Sequence, residues 1–316
     1  MPDGTYEDLI LQEAAKQTIE HDIRLFLEHE LGEIRHHRSL SVDWPSRDKI
    51  QALAKLAVPL FIFAATACRY IGDQRDNPKK RLDIVLGYQK TKASQLNAIY
   101  LPILNQLFNN EDEEDRERQA SEFQEIVGSI VVLESPLSIA SLTHFLGIPK
   151  EDISCQLDSL HSILSIPDSE DVPIRLLHLS FREFLLDPQK RGKSPFWVDK
   201  KETHKKLASQ CLKLMSSAKG LRQNMCNLLM PGTLRSEIDE RIIAGSLPPE
   251  LQYACRYWVQ HLEQSERHIH DGDPIHLFLQ EYFLYWLEAM SLIGEAYKCI
   301  YEINRLQALV DITVLS

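Results

Sequence analysis

The sequence predicts a mainly α-helical chain that carries one short β-hairpin. Three observations predict it. Apolar residues recur at three- and four-residue spacing along most of the 316 residues; strand-like runs are confined to about residues 163–179; and serine, asparagine or aspartate stands where helices should start. The length allows two or three domains with cores of their own.

The first block, residues 1–108, reads as a helical domain. Ile23, Phe26, Leu27 and Leu31 share one helix face, and Gly32 offers a left-handed stop. Ser46 can cap a helix carrying Ile50, Leu53 and Ala54. Pro59 breaks that pattern and opens a helix through Phe61, Ala64, Ala65 and Cys68. Asn77-Pro78 is a cap followed by a first-turn proline, and Leu96, Ile99, Tyr100, Ile103, Leu104 and Leu107 form the last stripe. Residues 109–120 read as an acidic linker, because Asn109 to Arg118 holds no apolar residue.

The second block, 121–190, changes character. A helix with Phe123, Ile126, Val127 and Ile130 is followed by one capped by Ser138 and ended at Gly147, and by a third carrying Ile153 and Leu157. Two β-like runs, Ile163 to Ile166 and Ile174 to Leu179, flank the polar Pro167–Pro173 segment. Three helices and then a hairpin is the order of a winged helix. The third block, 200–316, returns to helices: Leu207, Cys211 and Leu214; Leu251, Cys255, Trp258 and Leu262; and, after Asp273-Pro274, Phe278, Leu279, Tyr282 and Trp286. The chain ends on an apolar run, Leu309 to Leu315, which suits either a docked helix or a longer architecture.

Charge and motifs narrow the function. A net charge of −11 repels phosphate backbones. A DNA-reading third helix would need basic residues, yet Lys150 to Leu160 holds Glu151, Asp152 and Asp158 against one lysine. The wing carries Asp168, Glu170 and Asp171 and no base, so a DNA-binding protein is the least favoured reading. The start lacks the blocks of a signal peptide, and the most apolar window, Leu56 to Cys68, is too short to span a bilayer. Six scattered cysteines without C-x-x-C point to free thiols in a reducing, cytoplasmic setting, with no zinc site.

Arg191-Gly-Lys-Ser194 ends like a phosphate loop, but position 187 is Asp187, not glycine, so a surface turn is expected. His268, His270, Asp271, Asp273 and His276 crowd together in what reads as an interhelical loop, not a metal site. No nucleophile motif is found, and no enzymatic activity is expected. A stand-alone protein-interaction scaffold is the main alternative to a switch.

Four stretches carry a resemblance: Asp22 to Leu27, Pro59 to Ile71, Leu176 to Leu185 and Leu247 to Trp258. In them the chain resembles the part of fungal NACHT-type STAND proteins, NLR-like signalling NTPases, that follows the nucleotide-binding domain. The resemblance implies a helical domain, a winged helix and a second helical domain, working in fungal innate immunity and heterokaryon incompatibility. It implies partners, either the NACHT ATPase domain or downstream sensor repeats; the charge and the short apolar window already argue against nucleic acid and membrane. It implies ADP or ATP as ligand, though none is expected to bind this chain alone, because the P-loop and Walker B residues are absent. His178 matches the histidine that reaches the β-phosphate of ADP in relatives, and Pro59 resembles the proline beside the adenine. Ala57 stands where that second motif has glycine. A hydrogen bond to a charged phosphate is worth about 1.5–3 kcal/mol, enough to shift a two-state balance about 10- to 150-fold.

Overall fold

A computed structural model describes residues 4–88, 94–108, 112–230 and 232–310, with side chains from residue 16 on. It is mainly helical: fourteen α-helices and one two-stranded sheet among the described residues. The chain divides into two compact units. One holds Met1–Gln119, Leu157–Ser165 and Leu176–Asp187; the other holds Ala120–Gln156, Ile166–Arg175 and Pro188–Ser316.

In the first unit, α1 (Gly4–His37) buries the expected stripe, with Ile23, Leu27 and Leu31 fully buried. The helix does not stop at Gly32. It continues because Ile34 packs on Gly72, where an added Cβ would lie 3.1 Å from Ile34. The left-handed residue after its end is Ser39, with φ 49°. Helix α2 (Arg47–Ala57) buries Leu53, Ala54 and Ala57. Helix α3 (Phe61–Gly72) starts two residues later than Pro59, which sits in the intervening turn. Helix α4 (Pro78–Gly87) begins as read, the Asn77 side chain accepting from Lys79 N–H at 2.9 Å.

Helix α5 (Gln95–Leu104) is capped by Ser94 and buries Ile99, Tyr100, Ile103 and Leu104. Arg81 of α4 is buried and held locally: it donates to Tyr70 O at 2.6 Å, lies over the Tyr70 ring, and pairs with Asp73 at 3.3 Å, while its Nε has no hydrogen-bond partner among the described residues. Asp73 also pairs with Arg75 at 3.4 Å, so of the two it is the buried guanidinium whose charge would be stranded by loss of its partner.

The acidic segment is helical from Glu113, its fifth residue, on. Helix α6 (Glu113–Val132) opens with Glu113, Glu114 and Asp115, which face the positive end of its dipole; residues 109–111 lie outside the described ones. Helix α7 (Ile139–Leu146) is capped by Ser138 and closed by Gly147 at φ 72°, a conformation only glycine adopts without strain. Helix α8 (Lys150–Asp158) is followed by the strands β1 (Leu164–Ser165) and β2 (Arg175–Leu176). Both are shorter than their apolar runs. The second run ends because Phe181, Phe184 and Leu185 follow helical spacing and are buried in α9 (Leu179–Leu186).

The second unit is built on α10 (Lys200–Met215) and α12 (Pro249–Gln264), with α13 (Pro274–Ile293) and α14 (Cys299–Leu309) packed on α12; α11 (Glu240–Ser246) leads into α12. Trp258 and Trp286 meet edge to face at 5.8 Å, both buried, and Trp286 Nε1–H donates to Cys255 O at 2.9 Å. Of the apolar C-terminal run, Val310 forms a bridge with Ile269, and residues 311–316 lie outside the described ones. All six cysteines are free. No described helix is long and apolar enough to cross a membrane.

Candidate functional site

His178 is the first residue to place. It stands at the N-cap of α9, not on a strand, and is exposed. An extended backbone at His178, φ −156° and ψ 145°, swings its ring over the first turn of the helix. There Nδ1 accepts the Ser180 backbone N–H at 3.0 Å and lies 2.7 Å from Ser180 Oγ. A backbone amide can only donate, so Nδ1 presents a lone pair and the neutral ring carries its proton on Nε2. Among the described residues Nε2 has no hydrogen-bond partner. The fold therefore spends one ring nitrogen on holding the imidazole and leaves the other as a donor.

The support runs inward. Ser180 is buried, and its Oγ meets Tyr100 OH of α5 at 2.7 Å. The Tyr100 ring packs on Phe181 and Phe184, with centroids 5.1 Å and 5.0 Å away. Burial raises the Tyr100 pKa above its ordinary value, which keeps the phenol a neutral donor. A chain of Tyr100, Ser180 and His178 thus anchors an exposed ring to a buried helix.

Pro59 is exposed in the turn between α2 and α3. Gln95, at the start of α5, donates its amide to Leu56 O at 3.0 Å and also to Val58 O. Gln95 and Tyr100 are five residues apart on one helix, roughly 7.5 Å along its axis at 1.5 Å per residue. One rigid element, α5, thus fixes both the Pro59 turn and the His178 cap.

The other motifs are absorbed locally. Gly192 takes φ +67° in a turn, and Arg191 lies over the Trp197 ring. Asp273 caps α13 by accepting from Ile275 and His276 N–H, each at 2.8 Å, and His276 Nδ1 accepts Gly272 N–H at 2.7 Å.

A second cluster was not legible in the sequence. His204 of α10 and His261 of α12 are both fully buried, with their Nδ1 atoms 2.8 Å apart. His261 Nε2 is 2.7 Å from Tyr253 OH, and that hydroxyl accepts Glu134 N–H at 3.2 Å. Burial, reinforced by the facing His204, pushes the His261 pKa down to about 3, so the ring is neutral at ordinary pH. Burial likewise raises the Tyr253 phenol. The residues are 57 positions apart for the histidine pair, and no sequence motif joins them. The only hint was that His204 precedes Leu207 and Cys211 at helical spacing, on their buried face.

No family model matches this chain, and no solved structure matches it. It is 26% identical over 277 residues, 80% of its length, to the vegetative incompatibility protein HET-E-1 of Podospora anserina. The matched part is 19% of that relative, so the chain spans about a fifth of its length.

Proposed function

We propose that this chain is the non-catalytic regulatory portion of a cytoplasmic nucleotide-dependent signalling switch of the NACHT/STAND kind, acting in incompatibility. The nucleotide-binding module is supplied by another polypeptide segment. Its likeness to HET-E-1 over 80% of its length supports the relationship. The observation that carries the mechanism is the His178 geometry: an exposed Nε2–H donor on a ring whose other nitrogen caps α9.

In this reading His178 senses ADP held by the neighbouring module. Its Nε2–H donates to a phosphate oxygen in the closed state and loses that contact on opening. Pro59, in a turn fixed from the same helix α5, would line the base side. A contact present in only one state biases the balance by its own free energy, about 1.5–3 kcal/mol for a charged acceptor. The chain contributes neither a phosphate loop nor a hydrolytic residue, so it neither binds the nucleotide alone nor turns it over.

Calorimetric titration of ADP and ATP with Mg2+ onto the chain tests this. No binding is expected; tight, Mg2+-dependent binding or turnover would overturn it. An ADP-loaded nucleotide-binding segment produced separately should bind the chain, and His178→Asn should weaken that complex about 10-fold or more.

A second reading, a stand-alone interaction scaffold, is favoured by exposed apolar side chains on two helices. Helix α13 exposes Leu284 at 72%, and α14 exposes Ile300 at 67% and Tyr301 at 67%. Monomeric behaviour at high concentration, without binding of apolar dyes, would count against it. DNA binding stays last, since α8 opens with Glu151 and Asp152; absence of a band shift at low salt would end it.

A further inference from the structure

We propose that Glu134, His204 and His261 form a binding site for one divalent transition-metal ion of the Zn2+ class. The three residues offer two imidazole nitrogens and a carboxylate oxygen, all within 4.8 Å of one another. That donor set suits Zn2+ and its neighbours and does not suit Ca2+ or Mg2+, which favour oxygen alone.

Three features of the surroundings favour a cation over a shared proton. The Nδ1 atoms of two fully buried rings face each other 2.8 Å apart as a hydrogen-bonded pair; an ion that displaced the one proton between them would meet a lone pair from each. A carboxylate, half-exposed, stands beside them, and among the described residues it has neither a cationic partner nor a hydrogen-bond donor. The distal nitrogen of His261 is held by Tyr253 OH at 2.7 Å, an outer-shell contact that fixes a ligating ring. Tyr253 is itself braced, by Phe145 at 5.3 Å and by Glu134 N–H.

The fit demands small movements. Ligand atoms about 2.0–2.1 Å from a tetrahedral ion lie roughly 3.3 Å from each other. The histidine nitrogens would part by about half an ångström, and the Glu134 carboxylate would close by at most about 1.5 Å through its own side-chain torsions. Three protein ligands leave a fourth position for water. The ion would tie the segment after α6 to the α10–α12 pair, a cross-link inside one unit.

The test uses the whole chain after exhaustive chelation. Zn2+ is titrated by calorimetry, and Co2+ replaces it for visible d–d absorption. One ion per chain is expected, with thermal stability rising with free Zn2+. Because His204→Gln and His261→Gln sit in a core and could fail to fold, Glu134→Gln is the primary variant. It should fold as the parent does and weaken Zn2+ at least 10-fold. The combined His268→Gln, His270→Gln variant should bind as the parent. Failure of the parent chain to bind Zn2+ at micromolar concentration overturns the proposal. So does affinity unchanged in Glu134→Gln, or affinity lost with the exposed loop histidines.

Discussion

Replacing His178 separates what the ring does for α9 from what it would do for a nucleotide. In the parent, Nδ1 satisfies the Ser180 N–H, one of the donors that a helix start leaves unpaired. His178→Ala removes that acceptor. Losing an N-cap costs about 1 kcal/mol, within a range of about 0.5–2. Ser180 Oγ keeps Tyr100 OH as a partner at 2.7 Å, so no further buried group is stranded. His178→Asn restores a short side-chain acceptor at the same place and should recover most of the loss, while leaving no imidazole donor. Urea unfolding followed by far-UV circular dichroism reads the difference. With a urea slope of about 1–3 kcal/mol/M, alanine should lower the midpoint by about 0.3–1 M and asparagine by much less. In complex with an ADP-loaded nucleotide-binding segment, both variants should be weakened alike. Asparagine as destabilised as alanine, alanine unfolding like the parent, or asparagine binding the segment at full strength would each refute this double role of the ring.

Other substitutions probe the packing around the two clusters. Tyr100→Phe removes the hydroxyl that meets buried Ser180 Oγ and should cost about 1 kcal/mol, measured by the same urea midpoint. Asp73→Ala strands the buried Arg81 guanidinium and should cost about 3–5 kcal/mol, with a lower unfolding temperature in calorimetry. Trp286→Ala empties a site that is fully buried against Trp258, also an expected loss of about 3–5 kcal/mol. Gly220→Ala would drive a Cβ into the backbone carbonyl oxygens of Leu214 and Met215 at the end of α10; with nothing soft to yield, a loss above about 2 kcal/mol should appear in thermal melts.

Much of the helical plan is readable residue by residue because its causes are local. Asn77, Ser138 and Asp273 each cap the helix that follows them as read, since a short polar side chain next to its own backbone needs no distant partner; Ser46 stands at the start of α2 but makes no side-chain cap bond. Gly147 closes α7 for an equally local reason. Gly32 shows the limit. A glycine permits a stop, but contact between Ile34 and Gly72, forty positions on, carries α1 through to His37.

His178 divides the same way. Its sequence neighbourhood marked it as a residue of interest, yet reads equally as the end of a strand. Only the burial of Phe181, Phe184 and Leu185 turns the following residues into a helix, and that helix commits Nδ1 to a cap and leaves Nε2 as donor. The Glu134, His204 and His261 cluster lies at the far end of this scale. Periodicity assigns each histidine to a helix face, because a side chain's face depends on spacing within its own helix. Which two faces meet depends on how α10 packs on α12, an energy summed over many apolar contacts that no short stretch of chain encodes.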